Sequence, residues 1–353
     1  MDRYIAEGGE AFSVSRFGYE YLKEKVDLEV IEPEFNKIEN LLIKYCGSQL
    51  KNILIQFRCL KRAKDNDVIY WATDRHPIIL IYAKRFGLLK KPILMVSHFT
   101  FNLNMVADSK KQKFLRWERE KCVKYFEQIV FASENLLKVA KLDYNYPDRQ
   151  CKWVGWGADI SYFKRKSNAT YFHYDFPFFL AAGGINRDYK TLVEAFYSLP
   201  YHLVLSCPRE VINMLGDVPD NIHFYNMGAD GYLGYEKLRE LYQKCEAVCI
   251  PVAEKNHVPN GASVLVESLA CGKPVFATDL ESNFIDIRGE NVGDVVRINC
   301  SEDWKRAINQ FVNLSDQEKK EMGERAYILA KTKYNYKKFS DEVYEYIKKL
   351  VKK

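Results

Sequence analysis

The chain has 353 residues, a formal net charge of +6, and 47% hydrophobic and 28% charged residues. This length suits two globular domains of about 150 to 180 residues each rather than a single core. No segment approaches the roughly 18 uninterrupted apolar residues of a membrane-spanning helix, and the opening residues lack the basic and apolar regions of a signal peptide. We therefore expect a cytosolic protein.

The charged residues are unevenly distributed. Residues 1–166 hold 30 Lys and Arg against 21 Asp and Glu, whereas residues 167–353 hold 23 against 26. No nucleic-acid-binding motif or basic–aromatic platform accompanies the basic first half, so we do not expect nucleic-acid binding. The nine cysteines are an odd number with no paired spacing beyond Cys245 and Cys249, which predicts reduced thiols rather than disulfides or a metal site.

Four short apolar runs in the first half predict β-strands separated by helical segments. They are VDLEVIEP (26–33), DVIYWATD (67–74), PILMVSH (92–98) and QIVFAS (128–133). Residues 108–126 form a basic segment with seven Lys and Arg among several aromatic residues. This segment predicts either an amphipathic helix in peripheral contact with an anionic membrane or an ordinary helix that buries its aromatic side chains in the core.

Residues 164–176 are polar and aromatic without a regular period, which indicates a hinge. Beyond it, apolar runs again alternate with amphipathic helices. The runs are FFLAAGG (178–184), HLVLSC (202–207), NIHFYN (221–226), AVCIPV (247–252) and PVFAT (274–278). Continuous apolar strands spaced by helices are typical of parallel strands buried on both faces. The sequence therefore predicts two α/β domains with doubly wound sheets over residues 1–334, followed by a terminal amphipathic helix.

Two strand-to-helix junctions of the second half have the composition of ligand sites. In open parallel sheets, ligands bind beyond the carboxyl ends of strands, where helix N-termini offer free N–H groups to phosphate. At the first junction, Gly183 and Gly184 allow a ligand to approach the backbone, and Arg187 can hold a phosphate by a bidentate contact. A glycine turn at such a junction is also common for structural reasons alone.

The second junction is Asn260–Gly261–Ala262–Ser263, which precedes a helix predicted from about Ala262 to Ala270. Glu267 lies within that helix, and its carboxylate can accept two hydroxyl hydrogen bonds from a sugar ring. The alternative is a glutamate that is simply exposed on a helix. In the first half, Gly8 and Gly9 precede another helical pattern and could approach a phosphate in the same way.

Five segments, in this order along the chain, resemble the motifs of family-4 retaining glycosyltransferases, whose fold is called GT-B. They are WVGWGADISYFKR (153–165), GGINRDYKTLVEAF (183–196), LRELYQKCEAVCIPV (238–252), GASVLVESLACGKPVFATD (261–279) and IRGENVGDVVRIN (287–299). The resemblance is dense from about residue 128 onwards. It implies two Rossmann-like domains that face each other across a cleft: an acceptor-binding domain (1–165) and a nucleotide-sugar-binding domain (166–334). A helix (335–353) would cross back to the first domain.

The resemblance also implies roles for particular residues. Arg187 would neutralise the departing diphosphate and His98 would lie near the reacting sugar, so these two are the expected catalytic residues. The expected donor-binding residues are Gly8, Gly9, Gly184, Arg187, Asn260, Gly261, Ala262, Ser263 and Glu267. Glu267 would bind the ribose hydroxyls. Because Arg187 replaces the metal that other glycosyltransferases use, we expect neither a metal nor a cofactor.

One departure from the family pattern concerns the donor sugar. The family has a first acid eight positions before Glu267, where this chain has Pro259. Asn260 could supply a hydrogen bond instead, and Glu254 is a weaker substitute. The missing acid keeps open a catalytically degenerate protein that acts as a binding partner or scaffold. A phosphorylase or a sugar-phosphate synthase with the same fold is a further alternative, although no pyridoxal-phosphate lysine motif is evident.

The expected function is that of a hexosyltransferase-type enzyme which transfers a sugar from a nucleotide-diphosphate sugar to a hydroxyl. The acceptor would be a glycan or a lipid-linked molecule, in the synthesis of a surface polysaccharide or glycolipid. The enzyme would be cytoplasmic or located at the inner face of the membrane.

Overall fold

The structure, a computed structural model, describes residues 17–32, 34–47, 49–72, 76–97, 117, 120–142, 145–164, 171–226, 233–254 and 260–352. The described residues form two compact units. The N-terminal unit contains the described residues up to 155 together with 339–352, and the C-terminal unit contains those from 156 to 338.

The N-terminal unit is built on a four-stranded parallel sheet with the strand order β1-β2-β3-β4. The strands are β1 (Ile69–Trp71), β2 (Ile93–Ser97), β3 (Gln128–Phe131) and β4 (Cys151–Trp153). The helices are α1 (Tyr19–Leu22), α2 (Lys37–Cys46), α3 (Gln49–Arg62), α4 (Ile78–Arg85) and α5 (Glu134–Leu142), and a 3₁₀ turn covers Val123–Tyr125. Every residue of β2 and β3 is buried, as expected for parallel strands covered on both faces.

Three of the four strands predicted in this half are present, and one prediction is wrong. Residues 26–32 do not form a strand. This segment lies against the end of helix α3, where Glu29 contacts Arg62 at 3.2 Å, and it also contacts Asn66 beyond the helix at 2.8 Å. Strand β4 was not predicted, since two of its three residues are exposed and give no apolar run.

The described residues of the C-terminal unit form six parallel strands, the five predicted ones and one more. They are β5 (Phe178–Ala182), β6 (His202–Cys207), β7 (Ile222–Asn226), β8 (Ala247–Ile250), β9 (Val275–Thr278) and β10 (Gly293–Val296). The helices are α6 (Ile160–Lys164), α7 (Tyr189–Phe196), α8 (Arg209–Leu215), α9 (Tyr235–Lys244), α10 (Ala262–Ala270), α11 (Ser301–Val312) and α12 (Asp316–Thr332).

The order of these six strands decides where a ligand can bind. The sheet runs β10-β9-β8-β5-β6-β7, so the chain first winds outwards from β5 to β7 and then returns to the other side of β5 with β8. The point between β5 and β8, where the winding reverses, is the switch point at which doubly wound sheets form a ligand crevice. The doubly wound α/β fold predicted for this half is therefore confirmed.

The division between the units lies ten residues before the predicted position of 165. The reason is that helix α6 is held by helix α9 of the C-terminal unit: Arg239 Nη1 donates to the Tyr162 carbonyl at 3.2 Å, and Gln243 Nε2 donates to the Phe163 carbonyl at 2.9 Å. After the undescribed residues 165–170, the backbone N–H of Tyr171 donates to Glu240, also on α9, at 2.8 Å.

The terminal helix α13 (Tyr336–Val351) matches the predicted amphipathic helix. From residue 339 onwards it belongs to the N-terminal unit, where Ser340 Oγ donates to the Gly18 carbonyl at 3.2 Å. All nine cysteines are free thiols, and six of them are buried. Over the described residues, no helix combines the length and the apolar character needed to cross a membrane.

Candidate functional site

Two loops meet at the switch point of the C-terminal sheet, one after β5 and one after β8. The β5 loop lies against the β8 loop through backbone hydrogen bonds: Asp188 N donates to the Pro251 carbonyl at 3.2 Å, and Ala253 N donates to the Asn186 carbonyl at 3.3 Å. The Asn186 side chain adds two bonds of 3.1 Å with the backbone of Glu254. The two loops therefore form one connected structure.

The loop after β5 is a tight turn that leads directly into helix α7. Gly183 has φ +118°, in the region that favours glycine, and Asn186 has φ +51°. Asp188 then caps α7 by accepting a hydrogen bond from Thr191 N at 3.1 Å. The hydroxyl of Tyr189 donates to the Gly183 carbonyl at 2.5 Å, which fixes the turn against the first residue of α7.

Arg187 lies at the centre of this structure. Its guanidinium donates to the carbonyls of Ala182 (3.3 Å) and Ile185 (2.9 Å). It also fills the space beside two glycines from different loops, because a Cβ atom added at Gly183 would lie 2.8 Å from Arg187 Nη2, and one added at Gly261 would lie 3.3 Å from the same atom.

The charge of Arg187 is not balanced by a carboxylate from the residues that the structure describes. Burial lowers the pKa of Arg187, but a guanidinium keeps its proton in proteins. A partly buried cation between two glycine turns is a suitable partner for an anion with several oxygens, such as a diphosphate.

The second glycine turn begins helix α10. Gly261 is its N-cap with φ +84°, and an added Cβ would lie only 2.5 Å from Ile250 Cγ2, so the position requires glycine. Ala262 and the exposed Ser263 follow in the first turn, where backbone N–H groups have no helical acceptor. A small cavity beside this turn is lined in part by Asn260, Gly261 and Ala262.

Glu267 is buried on helix α10, with 3% of its surface exposed, so the alternative of a glutamate on an exposed helix face is excluded. The Tyr242 hydroxyl, on the neighbouring helix α9, donates to Glu267 Oε2 at 3.1 Å. Burial raises the pKa of Glu267 to about 8, and the Tyr242 hydrogen bond opposes this rise in part. A buried carboxyl with one partner retains capacity to bind a ligand hydroxyl.

The separation along α10 is suited to a nucleotide. Glu267 lies six residues beyond Gly261, which corresponds to about 9 Å along the helix axis. The guanidinium of Arg187 lies beside Gly261, since a Cβ added there would be 3.3 Å from Arg187 Nη2. The site therefore offers a cation and free N–H groups at one end and a hydroxyl acceptor at the other, as the phosphate and ribose ends of a nucleoside diphosphate require.

The structure brings together only part of the predicted set. Arg187, Gly261 and Ala262 lie around one point with Asn260 nearby, and Gly184 and Ser263 border the two turns. Gly8, Gly9 and His98 lie outside the described residues. Over the described part of the chain, no group of three His, Cys, Asp or Glu residues is arranged to hold a metal ion.

The basic segment 108–126 lies only in part within the described residues. In the described part of the basic segment 108–126, Cys122, Val123 and Phe126 are buried in the core of the N-terminal unit, whereas Trp117 is 52% exposed. Both alternatives for this segment stay predictions.

Sequence reasoning missed the residues that position the site. Three such residues were not identified as candidates. Tyr242 binds Glu267, Tyr189 binds the Gly183 turn, and Asn186 binds the β8 loop. Tyr189 is only two residues from Arg187, so its place on the first turn of α7 was a usable signal. Tyr242 gave none, because its partner is 25 residues away.

Residues 217–328 match the protein family "Glycosyl transferases group 1". The matched segment contains Glu267 and most of the C-terminal unit. The resemblance inferred from the sequence is confirmed in this coarser form over the matched residues. Assignment to family 4 within this group stays a prediction. A comparison with curated proteins found no match.

Solved glycosyltransferase structures have a similar fold over nearly the whole chain. A glycosyltransferase from Rickettsia africae ESF-5 aligns with a TM-score of 0.69 and 15% identity, over 96% of this chain and 95% of that one. Anabaena HepE in complex with UDP and glucose aligns with a TM-score of 0.63 and 15% identity, over 90% of this chain and 84% of that one. Sucrose-phosphate synthase from Thermosynechococcus elongatus aligns with a TM-score of 0.66 and 16% identity, over 90% of this chain and 80% of that one. The predicted GT-B fold is confirmed.

Proposed function

We propose that this protein is a retaining glycosyltransferase which moves a sugar from a nucleotide-diphosphate sugar to a hydroxyl of a glycan or lipid-linked acceptor. The observation that carries the proposal is the guanidinium of Arg187, which lies between the glycine turns at Gly183 and Gly261 and has no carboxylate partner among the described residues. The similar protein HepE has been solved with UDP and with UDP-glucose, which supports a nucleotide sugar as the donor.

Each part of the site has a role in the proposed reaction. Sugar transfer develops negative charge on the departing diphosphate and positive charge on the sugar ring. The guanidinium of Arg187, together with the free N–H groups at the start of α10, stabilises the negative charge as it forms. Glu267 holds the ribose hydroxyls and so fixes the nucleotide while the bond to the sugar breaks. Retention of the anomeric configuration and independence from metal follow from the family resemblance and belong to the proposal.

Asn260 takes the place of the acid that is missing at Pro259 in this proposal. Asn260 precedes the N-cap of α10 and lines the cavity beside it, where its amide can bind a sugar hydroxyl. We regard a degenerate scaffold as the less favoured alternative, because a scaffold has no need of a partly buried cation that lacks a carboxylate partner among the described residues.

The acceptor and the location of the enzyme also belong to the proposal. We assign acceptor binding to the N-terminal unit, whose sequence is the more basic of the two halves. An acceptor linked to an anionic lipid would require peripheral contact with a membrane surface.

Thermal unfolding with nucleotides tests the donor site. The wild-type protein, Glu267→Ala and a control with the exposed glutamate replaced, Glu210→Ala, are each heated with UDP, GDP, ADP or CMP. A nucleotide at 100 times its dissociation constant stabilises the folded state by about 2.7 kcal/mol. We expect one nucleoside diphosphate to stabilise the wild type and the control but not Glu267→Ala. A folded wild-type protein that responds to none of them would contradict the transferase and favour the scaffold.

A further inference from the structure

Two histidines face each other at one edge of the C-terminal sheet. His202 begins strand β6 and His223 is the second residue of β7, so the amino-terminal ends of two neighbouring strands bring them together. His202 Nδ1 lies 3.0 Å from His223 Nε2. The ring centroids are farther apart, at 5.2 Å, so the two nitrogens point towards each other. This geometry fits a hydrogen bond in which one ring donates and the other accepts.

An extended segment covers this pair before the chain enters strand β5. We call this segment, residues 171–177, the strap. Its side chains alternate between buried or half-buried and exposed, as on the two faces of an extended chain. The inward side chains are Phe172, Tyr174 and Phe176, and the outward ones between them are His173 and Asp175. The ring of Phe176 stacks on both imidazoles, with centroid distances of 3.8 Å to His202 and 4.7 Å to His223.

The contacts of the strap form a continuous row that ends at helix α9. The ring centroid of Tyr174 lies 5.5 Å from that of Phe176 and 6.1 Å from that of Phe172. At the start of the strap, the backbone N–H groups of Tyr171 and Phe172 donate to the two carboxylate oxygens of Glu240, on α9, at 2.8 and 3.2 Å. The stack on the histidines is therefore one end of a row of contacts, and the support of α9 is the other.

The groups around the pair do not compensate a second positive charge. The neighbour of His202 on β5 is a phenylalanine, and β7 is the last strand of the sheet. On the strap, the neutral ring of Tyr174 lies 6.1 Å from His223. Asp175 on the strap and Asp220 ahead of β7 are exposed, and neither forms an ion pair with these histidines in the described part of the chain. Burial and then the neighbouring His202 lower the pKa of His223.

We propose that the pair His202–His223 is a pH-sensitive latch, which holds the strap against the sheet at neutral pH and releases it in mildly acidic solution. While at least one of the rings is neutral, the two share a hydrogen bond and offer a common face to Phe176. When both are protonated, all their nitrogens are donors, and two positive charges lie about 3 Å apart. The rings then separate, and their stack with Phe176 is lost. The latch does not depend on sugar transfer.

The direction and size of the pH effect follow from the proton count. In the released strap each histidine binds a proton with the ordinary pKa of 6.5. In the latched strap the second proton is disfavoured, so this state binds fewer protons and becomes less stable as the pH falls below that value. At about pH 5.0, roughly 1.5 pH units lower, one missing proton raises the ratio of released to latched strap by about 10- to 30-fold relative to about pH 7.5.

Hydrogen–deuterium exchange of the full chain, followed by mass spectrometry without any nucleotide, tests the latch. Exchange in residues 171–177 is measured at about pH 7.5 and about pH 5.0, and each rate is divided by the intrinsic rate at that pH. The N–H groups of Tyr171 and Phe172 report the state of the strap, because they are bonded to Glu240 while it is in place. We expect the corrected rate to rise about 10- to 30-fold in acid, with no comparable rise in strand β5.

Matched variants separate the latch from a general effect of acid. In His223→Gln a neutral amide replaces the ring, so the pair cannot carry two charges, and we expect the acid-induced rise to be lost. His202→Asn makes the same test from the other ring and decides the question if His223→Gln does not fold. His173→Gln, on the exposed side of the strap, should keep the wild-type rise. A corrected wild-type rate that does not change with pH, or a full rise in the folded His223→Gln or His202→Asn protein, would refute the latch.

Discussion

Replacing Glu267 by glutamine should stabilise the folded protein, and increasingly so as the pH rises. Glutamine has nearly the same shape as glutamate, and its carbonyl can still accept the hydrogen bond from Tyr242. What the change removes is ionisation. The pKa of Glu267 is raised from its ordinary 4.5 to about 8 because the carboxyl is buried, so the charged form is disfavoured in the folded protein.

The sign and size of the effect follow from these two pKa values. Below pH 4.5 the carboxyl is protonated in both states; between 4.5 and about 8 only the unfolded chain releases the proton. The free energy of unfolding of the wild type therefore falls with rising pH across this window and is not affected further above it. The full pKa difference of about 3.5 lowers the free energy of unfolding of the wild type by about 5 kcal/mol at most. Between about pH 5.5 and about pH 8.5 the decrease is roughly 3 kcal/mol.

Thermal unfolding of wild type, Glu267→Gln and the exposed-site control Glu210→Gln over this pH range measures the effect. We expect the melting temperature of Glu267→Gln to rise relative to wild type by roughly 6 to 12 °C between the two ends of the range. The difference between Glu210→Gln and wild type should stay nearly constant. A Glu267→Gln curve parallel to that of the wild type would mean that Glu267 ionises normally, and the reasoning from burial would be refuted.

Two further predictions concern Arg187 and Gly261. Arg187→Ala should lower the rate of sugar transfer by about 10² to 10³-fold through lost stabilisation of the leaving diphosphate. Replacement of the exposed Arg209 by alanine is the control. Transfer by Arg187→Ala at the wild-type rate would exclude a role of Arg187 in stabilising the diphosphate. Gly261→Ala should lower the free energy of unfolding by about 1 to 3 kcal/mol more than Gly216→Ala, measured by chemical denaturation. Both glycines have positive φ, but only at Gly261 does an added Cβ meet a neighbour, Ile250 Cγ2, at 2.5 Å, so equal effects would contradict the steric argument.

The local pattern of the sequence was enough to identify most elements of the C-terminal unit. Helix α10 runs from Ala262 to Ala270 as predicted, because its start follows a glycine turn and its end precedes Cys271–Gly272. The helical face of Leu192, Ala195, Phe196 and Leu199 is buried in the core. Strand β10 was missed because only its last residue is buried, so it lacks the apolar run that marks the other strands.

The candidate site residues also have some features that the local sequence reveals and others that depend on the fold. The residue types of Arg187 and Glu267 and their places beside glycine turns are local features, and the sequence alone made them candidates. Whether Arg187 approaches Gly261, 74 positions later, depends on the pairing of β5 with β8 in the sheet. No pattern within one segment determines that pairing.

The sequence by itself determined the α/β class, the bounds of the elements with strong periodicity, and the presence of a cation and an acid at strand-to-helix junctions. Periodicity and turn chemistry act over a few residues, so they can be read without the fold. Only the tertiary structure decided that Glu267 is buried against Tyr242, that Arg187 is enclosed by two glycine turns, and that His202 faces His223. Burial is the sum of contacts from segments far apart in the chain, and those contacts exist only after the sheet and its helices have assembled.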